Sequence, residues 1–539
     1  MKRTNSRYTV IACILSLIAT PIMGQTELEG QEVEVIKNFD ARLADARKLR
    51  IIPQLPELDT TLRTYTYRVS VDNPAISYPA PSIRPLAIRP EKPEPSYQGF
   101  VRAGYGIPNA LLVDGSYFFN PADGLEMGVG LRHRSANDTD TPLKHYIDND
   151  IMVTGNYFSS PAMSVSGDLS YSFDDYYLYG IDPTDLRLYV DNKRKYKTFR
   201  GRAGISNNER LQGDINYSAE VAVYNHKDDQ ATRENGFQLD VFGEKWISTK
   251  TPVSLRIITD FSTLKDTAKR DLHNFFLQPA FSLRDQRYRV QVGANIASSD
   301  DEFYFFPQIE ASGKLSGNQL IAFIGAEGSL RKNNFLALSD YNPYISERIR
   351  DIRNTRYTRY YGGFKGRLKV FEYEGRLNVS DTKDLALYLT DPNDSRKFQP
   401  VYDDGTVVRV EGVLRAQPSE QLEVGAIGAW LHYDLDQQEK AWHLPELEFR
   451  LYANYLTTDR RLRLKADLFV ADGVPYLNED EEVVNLNTLF DVSLGADYYI
   501  TEAIGVFARV NNLADNNRQR WLRYDSFGLN AVGGVMVRL

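Results

Sequence analysis

Cysteine is nearly missing from this chain of 539 residues: there is one, Cys13, near the N-terminus. A single thiol allows no intrachain disulfide, and Cys13 falls inside an export leader, so thiolate and cysteine–metal chemistry are excluded from the rest. Histidine is scarce too. The six residues His133, His145, His226, His273, His432 and His443 show no metal-ligand spacing and read as loop or lumen residues. G-x-S-x-G, H-E-x-x-H, P-loop and dinucleotide-binding fingerprints are all lacking, so no catalytic, cofactor-binding or metal residue is nominated and no enzyme is expected. An excess of one charge is lacking as well. Lys and Arg number 64 against 72 Asp and Glu, interspersed, which argues against a nucleic-acid partner. Beyond the leader no apolar run approaches the ~18 residues of a spanning helix, so any membrane crossing has to be made by strands.

What is present starts with that leader. Lys2, Arg3 and Arg7 form a basic region, Val10 to Ala19 an apolar core, and Gly24 precedes the expected first mature residue, Gln25. Residues 1–24 therefore read as a signal peptide. Residues 25–95 carry nine prolines between Pro53 and Pro95. Proline fixes φ and removes the N–H, so this segment reads as an extended periplasmic arm or reduced plug without a core of its own.

From Tyr97 the pattern becomes strict alternation. Leu125, Met127, Val129 and Leu131 alternate with Glu126, Gly128, Gly130 and Arg132. Leu462, Leu464, Ala466 and Leu468 alternate with Arg463, Lys465, Asp467 and Phe469. One apolar and one polar face per strand fits a sandwich or a barrel. Connection lengths separate the two. Short links at 159–162, 249–251, 317–318, 369–370 and 501–502 take turns with long ones at 174–197, 264–274, 333–356, 382–405, 473–482 and 511–526. All the long loops then fall at one end, as in an outer-membrane barrel, here of about 22 strands. Mean hydropathy of −0.43 does not oppose this, because a polar lumen offsets the lipid face. The 34 Tyr and 26 Phe against 4 Trp suit interfacial girdles and strands. Residues 96–539 are thus read as an all-β, transmembrane, antiparallel outer-membrane barrel.

Three loop features are candidate sites. The acidic groups 478–482 and Asp434 with Asp436 read as solvated loop surface rather than an ion site. The basic run Asn192-Lys193-Arg194-Lys195 is placed in a loop, where it would meet acidic surface glycolipid. Tyr176, Tyr177, Tyr179 and Tyr189, in the same loop, are assigned to packing or to the interface.

The C-terminal stretch carries a family resemblance. Val510-Asn511-Asn512-Leu513-Ala514-Asp515, a long loop, and a final strand with Leu529, Ala531, Gly533, Val535, Val537 and Leu539 on one face resemble the closing hairpin of TonB-dependent outer-membrane receptors. That resemblance implies a barrel preceded by a large globular plug, whereas only residues 25–95 are available for one here. The expectation is a plug-less, receptor-like barrel serving as a non-enzymatic component of an outer-membrane complex. Its partners would be outer-membrane lipids and an envelope protein: a lipoprotein, a periplasmic factor or another barrel. The competing expectation is a transporter, receptor or channel for a small solute.

Overall fold

The computed structural model describes residues 97–160, 163–180, 192–207, 213–299 and 302–539. The segments read as leader and arm, and Tyr189, lie outside the described residues. Twenty-two strands form one antiparallel sheet that closes on itself. The first strand, Gly99–Ile107, pairs with Ala110–Ala122 on one side and with the last strand, Asn530–Arg538, on the other. The closing ladder runs from Phe100↔Arg538 to Ile107↔Ala531. Glycine is required at this seam, because a Cβ on Gly534 would stand 2.0 Å from the Ala103 carbonyl oxygen. Each strand pairs with both neighbours over at least part of its length, so the closed ring leaves no strand free at an edge, which is what lets strands cross a bilayer.

Alternation sorts the side chains. Val129, Leu131, Ile151, Val153 and Leu169 are exposed on the outer face, where they meet lipid. Tyr117, Tyr157, Tyr288, Tyr455 and Tyr498 are exposed on the same face near the short-turn end and form one aromatic girdle. Inward residues are polar and pair across the strands. Arg102–Asp114 and Arg509–Asp497 stand at 2.5 Å and Arg202–Asp168 at 2.9 Å, and Arg132–Asp150 adds another rung. These pairs are partly water-exposed and add little stability each. Their effect is to keep the lumen wall wettable.

The two ends differ as the alternation of connections requires. Turns at 123–124, 249–250, 317–319 and 369–370 are tight, whereas 333–353, 436–446, 473–488 and 512–529 at the opposite end are long. Two expected long loops are corrected. Residues 382–405 belong mostly to two strands, Phe371–Asp391 and Asp394–Ala416, that rise far above the neighbouring rim. Residues 264–274 hold only a short turn, because Thr251–Lys265 and Lys269–Arg284 pair up to Lys269↔Lys265. In both places polar turn-forming residues mimic a loop while the side chains still alternate.

One joint in the wall is irregular. Strands Glu302–Ser316 and Leu320–Lys332 share a ladder only from Gln308↔Glu327 downward. Above it the second strand leans into the lumen, where Leu330 packs with Phe276, Ala297 and Phe306. There the Asn295 amide donates to the Gly328 carbonyl at 2.9 Å. The wall is lapped at this point, one strand lying inside its neighbours.

Candidate functional site: the external cap and the cavity beneath it

The long loops fold inward and pack on one another. Their shared core includes Leu178, Phe335, Leu338, Ile345, Phe398 and Trp521, all nearly inaccessible. The helix Phe335–Tyr341 lies in this cap. Asn334 caps it by accepting from the Ala337 N–H at 3.1 Å. The Glu234 carboxylate, rising from the wall strand Arg233–Ser248, accepts from the Phe335 N–H at 2.7 Å, the Asn334 amide at 2.7 Å and the Tyr224 hydroxyl at 2.8 Å. A carboxylate at the first turn answers both orphan N–H groups and the helix dipole.

Other loops lock onto the same core. Tyr524 stacks on Tyr344 with ring centroids 3.5 Å apart and meets Tyr179 edge-on at 5.0 Å. Burial pushes the Tyr344 hydroxyl up to about 12 and holds those of Tyr179 and Tyr524 well above their usual range, so all three stay neutral. Ile345 bridges Phe398 through a short parallel backbone contact, with the Ser346 N–H donating to the Phe398 carbonyl at 2.8 Å. Arg194, 1% exposed, crosses beneath this layer. It donates to Glu347 at 3.2 Å, to the Tyr196 hydroxyl at 3.1 Å and to the Ile345 carbonyl at 3.3 Å, and faces the fully buried Asp228 at 3.5 Å. Burial raises the Asp228 carboxyl, and Arg194 and nearby backbone N–H groups offset this only in part. Burial also works to raise Glu347, but its own backbone, Lys397 and Arg194 outweigh it and hold the group below the usual carboxylate range.

The basic run is therefore corrected. Lys193, Arg194 and Lys195 begin the strand Lys193–Ser206; Arg194 points into the cap and Lys193 pairs with Asp175 at 2.6 Å. They do not form a basic surface for glycolipid, because alternation turns the central cation inward. Tyr176 and Tyr179 pack against the cap core, in line with the structural role assigned to them. His226 and His443 are buried in the cap region. His133, His145, His273 and His432 share the outward strand faces near the rim, rather than the lumen, and His273 and His432 lie against Phe261 and Trp430. Among the described residues no group of three or more His, Cys, Asp or Glu could hold a metal ion. The two acidic loop groups stay apart: Glu479 pairs with Arg523, and the Asp436 N–H donates to the Asp404 carbonyl at 2.8 Å.

His443 supplies a pH test. Its Nδ1–H donates to the Tyr388 carbonyl at 2.8 Å, and its Nε2 accepts from the Leu522 N–H at 3.4 Å. The ring is held neutral, and burial lowers its pKa to about 4, with Arg520 adding to the effect. A group depressed in the folded state stabilises it above the unfolded value near 6.5 and loses that contribution as pH falls toward the folded value. Protection factors of the amides in loops 436–446 and 512–529, taken relative to the intrinsic exchange rate at each pH, are expected to fall between pH 7 and pH 4. A His443→Gln variant, which cannot titrate, should show a flatter dependence.

Beneath the helix lies a cavity of about 760 Å³, within the range of small-molecule sites. Its charged lining is Arg331, Lys332, Arg359 and Arg409 against Glu448, set among Tyr341, Tyr357, Tyr388 and Tyr433. Arg359 leans on Glu327 at 3.1 Å, Arg409 on Glu411 at 2.8 Å, and Lys332 on Asp260, while Arg331 is exposed to the cavity. Cations, phenol hydroxyls and the amide of Asn378 suit recognition of an anion. None of these cavity residues was singled out from sequence. The available signal was the period-two pairing of Tyr357 with Arg359 on an inward strand face, which looks like any lumen wall until the cap is in place.

No family model matches the chain, and no curated protein matches it in sequence. Solved structures do match in fold. The FrpB iron transporter from Neisseria meningitidis superposes with a TM-score of 0.66 at 9% identity, over 83% of this chain and 82% of that one. The siderophore receptor PirA from Acinetobacter baumannii gives 0.64 at 9% identity, over 83% and 81%. The pyoverdine outer-membrane receptor FpvA from Pseudomonas aeruginosa gives 0.60 at 10% identity, over 83% and 79%. At these identities the likeness is one of fold: this chain is an outer-membrane, receptor-like barrel of 22 strands.

Proposed function

We propose that the barrel takes up or carries a small anionic solute, holding it in the cavity beneath the external cap, without catalysing any reaction. The observation that carries this reading is Arg331, exposed among four tyrosines around about 760 Å³, with Lys332, Arg359 and Arg409 beside it, each paired with a carboxylate. An iron transporter and siderophore receptors among the fold neighbours support it. So does the packed cap, since an unobstructed lumen of this width would conduct continuously.

Citrate and ferric citrate are suitable probes for isothermal titration of the purified barrel. Saturable binding is expected, weakened about tenfold or more, or about 1.4 kcal/mol, in Arg331→Glu/Arg409→Glu. Absence of binding by either probe, or equal binding by the charge-reversed variant, would sink the reading.

A second reading, a non-enzymatic component of an outer-membrane complex, is favoured by the closure of the cell-surface end, which bars free entry of solute. Gentle-detergent pull-down of a tagged copy distinguishes it. A stoichiometric lipoprotein, periplasmic factor or second barrel would support that reading, and recovery of the barrel alone would count against it.

A further inference from the structure

We propose that the lapped joint at Pro307 and Gly328 is a hinge in the barrel wall. The upper halves of strands Glu302–Ser316 and Leu320–Lys332 re-pair with each other, and in doing so draw segment 333–353, with its helix, out of the lumen.

The register below the joint shows how this works. From Gln308↔Glu327 to Gly313↔Ala322 the ladder is regular, and its one irregularity lies at the far end, between Lys314 and Ser316. Continued upward in the same register it sets Pro307 opposite Gly328, Phe305 opposite Leu330 and Phe303 opposite Lys332. The observed ladder stops at the one pair with a chemical reason to stop. Proline has no N–H to donate, and glycine tolerates the close approach that follows. In the lapped position a Cβ on Gly328 would stand 2.6 Å from a Phe306 ring carbon and 2.7 Å from the Tyr357 carbonyl oxygen.

Both positions of the strand have something to bind. Inside, Asn295 holds the Gly328 carbonyl, Asn354 donates to Asn274 at 2.6 Å and to Ser299 at 2.8 Å, and Leu330 sits in its small apolar cluster. Outside, Phe303 and Phe305 are 78% and 73% exposed, the two highest values among the large exposed hydrophobics of the described residues. Ile309 and Ala326 are directly opposite on the outward face, so re-pairing places Leu330 beside Phe305 on that face. Lys332 would then lie beside Phe303 at the rim, where its stem covers apolar surface and its ammonium reaches headgroups. The strand leads through Asn333 and Asn334 into the helix, and Leu330, Arg331 and Lys332 also line the cavity. Moving the strand therefore moves the cap and opens one cavity wall together.

The test reads wall geometry and does not depend on any solute. Cys13 is the only cysteine, so introduced pairs are unambiguous. Directly opposite residues lie about 4.5–5.5 Å apart between Cα atoms, inside the disulfide range. Ile309→Cys/Ala326→Cys is the positive control and should cross-link fully in oxidised native membranes. Phe305→Cys/Leu330→Cys is expected to cross-link as well, more slowly, and several-fold faster when Gly328→Val is added to crowd the lapped position. The hinge is overturned if Phe305→Cys/Leu330→Cys stays unlinked in both backgrounds while the control pair links.

Discussion

Replacing Arg194 with methionine is expected to loosen the external cap by about 3–5 kcal/mol, the usual cost of breaking a buried ion pair from one side. Methionine fills much of the space but donates nothing. Asp228, with its side chain fully buried, and Glu347 would be left facing each other's charge without the guanidinium between them. The Ile345 carbonyl and the Tyr196 hydroxyl would lose the same donor. Hydrogen exchange in segment 333–353 and in strand Lys193–Ser206 near the rim is the direct measure. Exchange faster by roughly two to four orders of magnitude is expected there, with little change near the short turns. Adding Asp228→Asn should recover part of the loss, because a neutral amide no longer needs the cation. Equal exchange in all three proteins would show that Arg194 does not hold the cap.

Glu234→Ala is expected to have an effect of similar size by a different route. One carboxylate serves the Phe335 N–H, the Asn334 amide and the Tyr224 hydroxyl, and the residue is wholly inaccessible. Alanine strands two donors outright, the Phe335 N–H and the Tyr224 hydroxyl, and leaves the Asn334 amide only the Tyr224 oxygen, at 2.6 Å. Each unsatisfied buried group costs about 1–3 kcal/mol, and charge-assisted bonds lie at the upper end. The helix Phe335–Tyr341 has only seven residues and cannot stand without such support. Limited proteolysis should cut within residues 333–353 in the variant and not in the parent, while heat-modifiable gel mobility shows the barrel intact in both. Glu234→Gln, which still accepts one bond, should fall between them. A variant as resistant as the parent would remove Glu234 from the account.

The barrel was legible in the sequence because its two determinants are local. Alternation such as Leu125 to Arg132 needs only neighbouring residues, and short and long connections taking turns can be read without knowing any contact. The cap was not legible, because its contacts are remote. Tyr179 donates to the Asp525 carbonyl, 346 positions away, and Arg194 reaches Ile345, 151 positions away. No period links such residues. The rising hairpin was hidden for another reason. Asp391, Pro392, Asn393 and Asp394 signal a turn, and the charges at 403–404 extend that impression, yet Leu385, Leu387 and Leu389 kept strand spacing throughout. Those leucines pack near Trp442 and Ala441, which gives the extra height a small core of its own. Arg194 was misplaced because Lys193 and Lys195 flank it, and three consecutive cations suggest a solvated loop, although a strand must send the middle one to the opposite face.

The lapped joint also alters the barrel considered as a hoop. Strands in a sheet are spaced about 4.8 Å apart, so a ring whose members all pair has a set circumference. Where one strand is tucked inside its neighbours, the upper rim is drawn in by roughly one such spacing, about 1.5 Å in diameter, while the lower rim keeps its full girth. Re-pairing the two strands would return that spacing, so the hinge proposed above would widen the upper rim and leave the lower one unchanged.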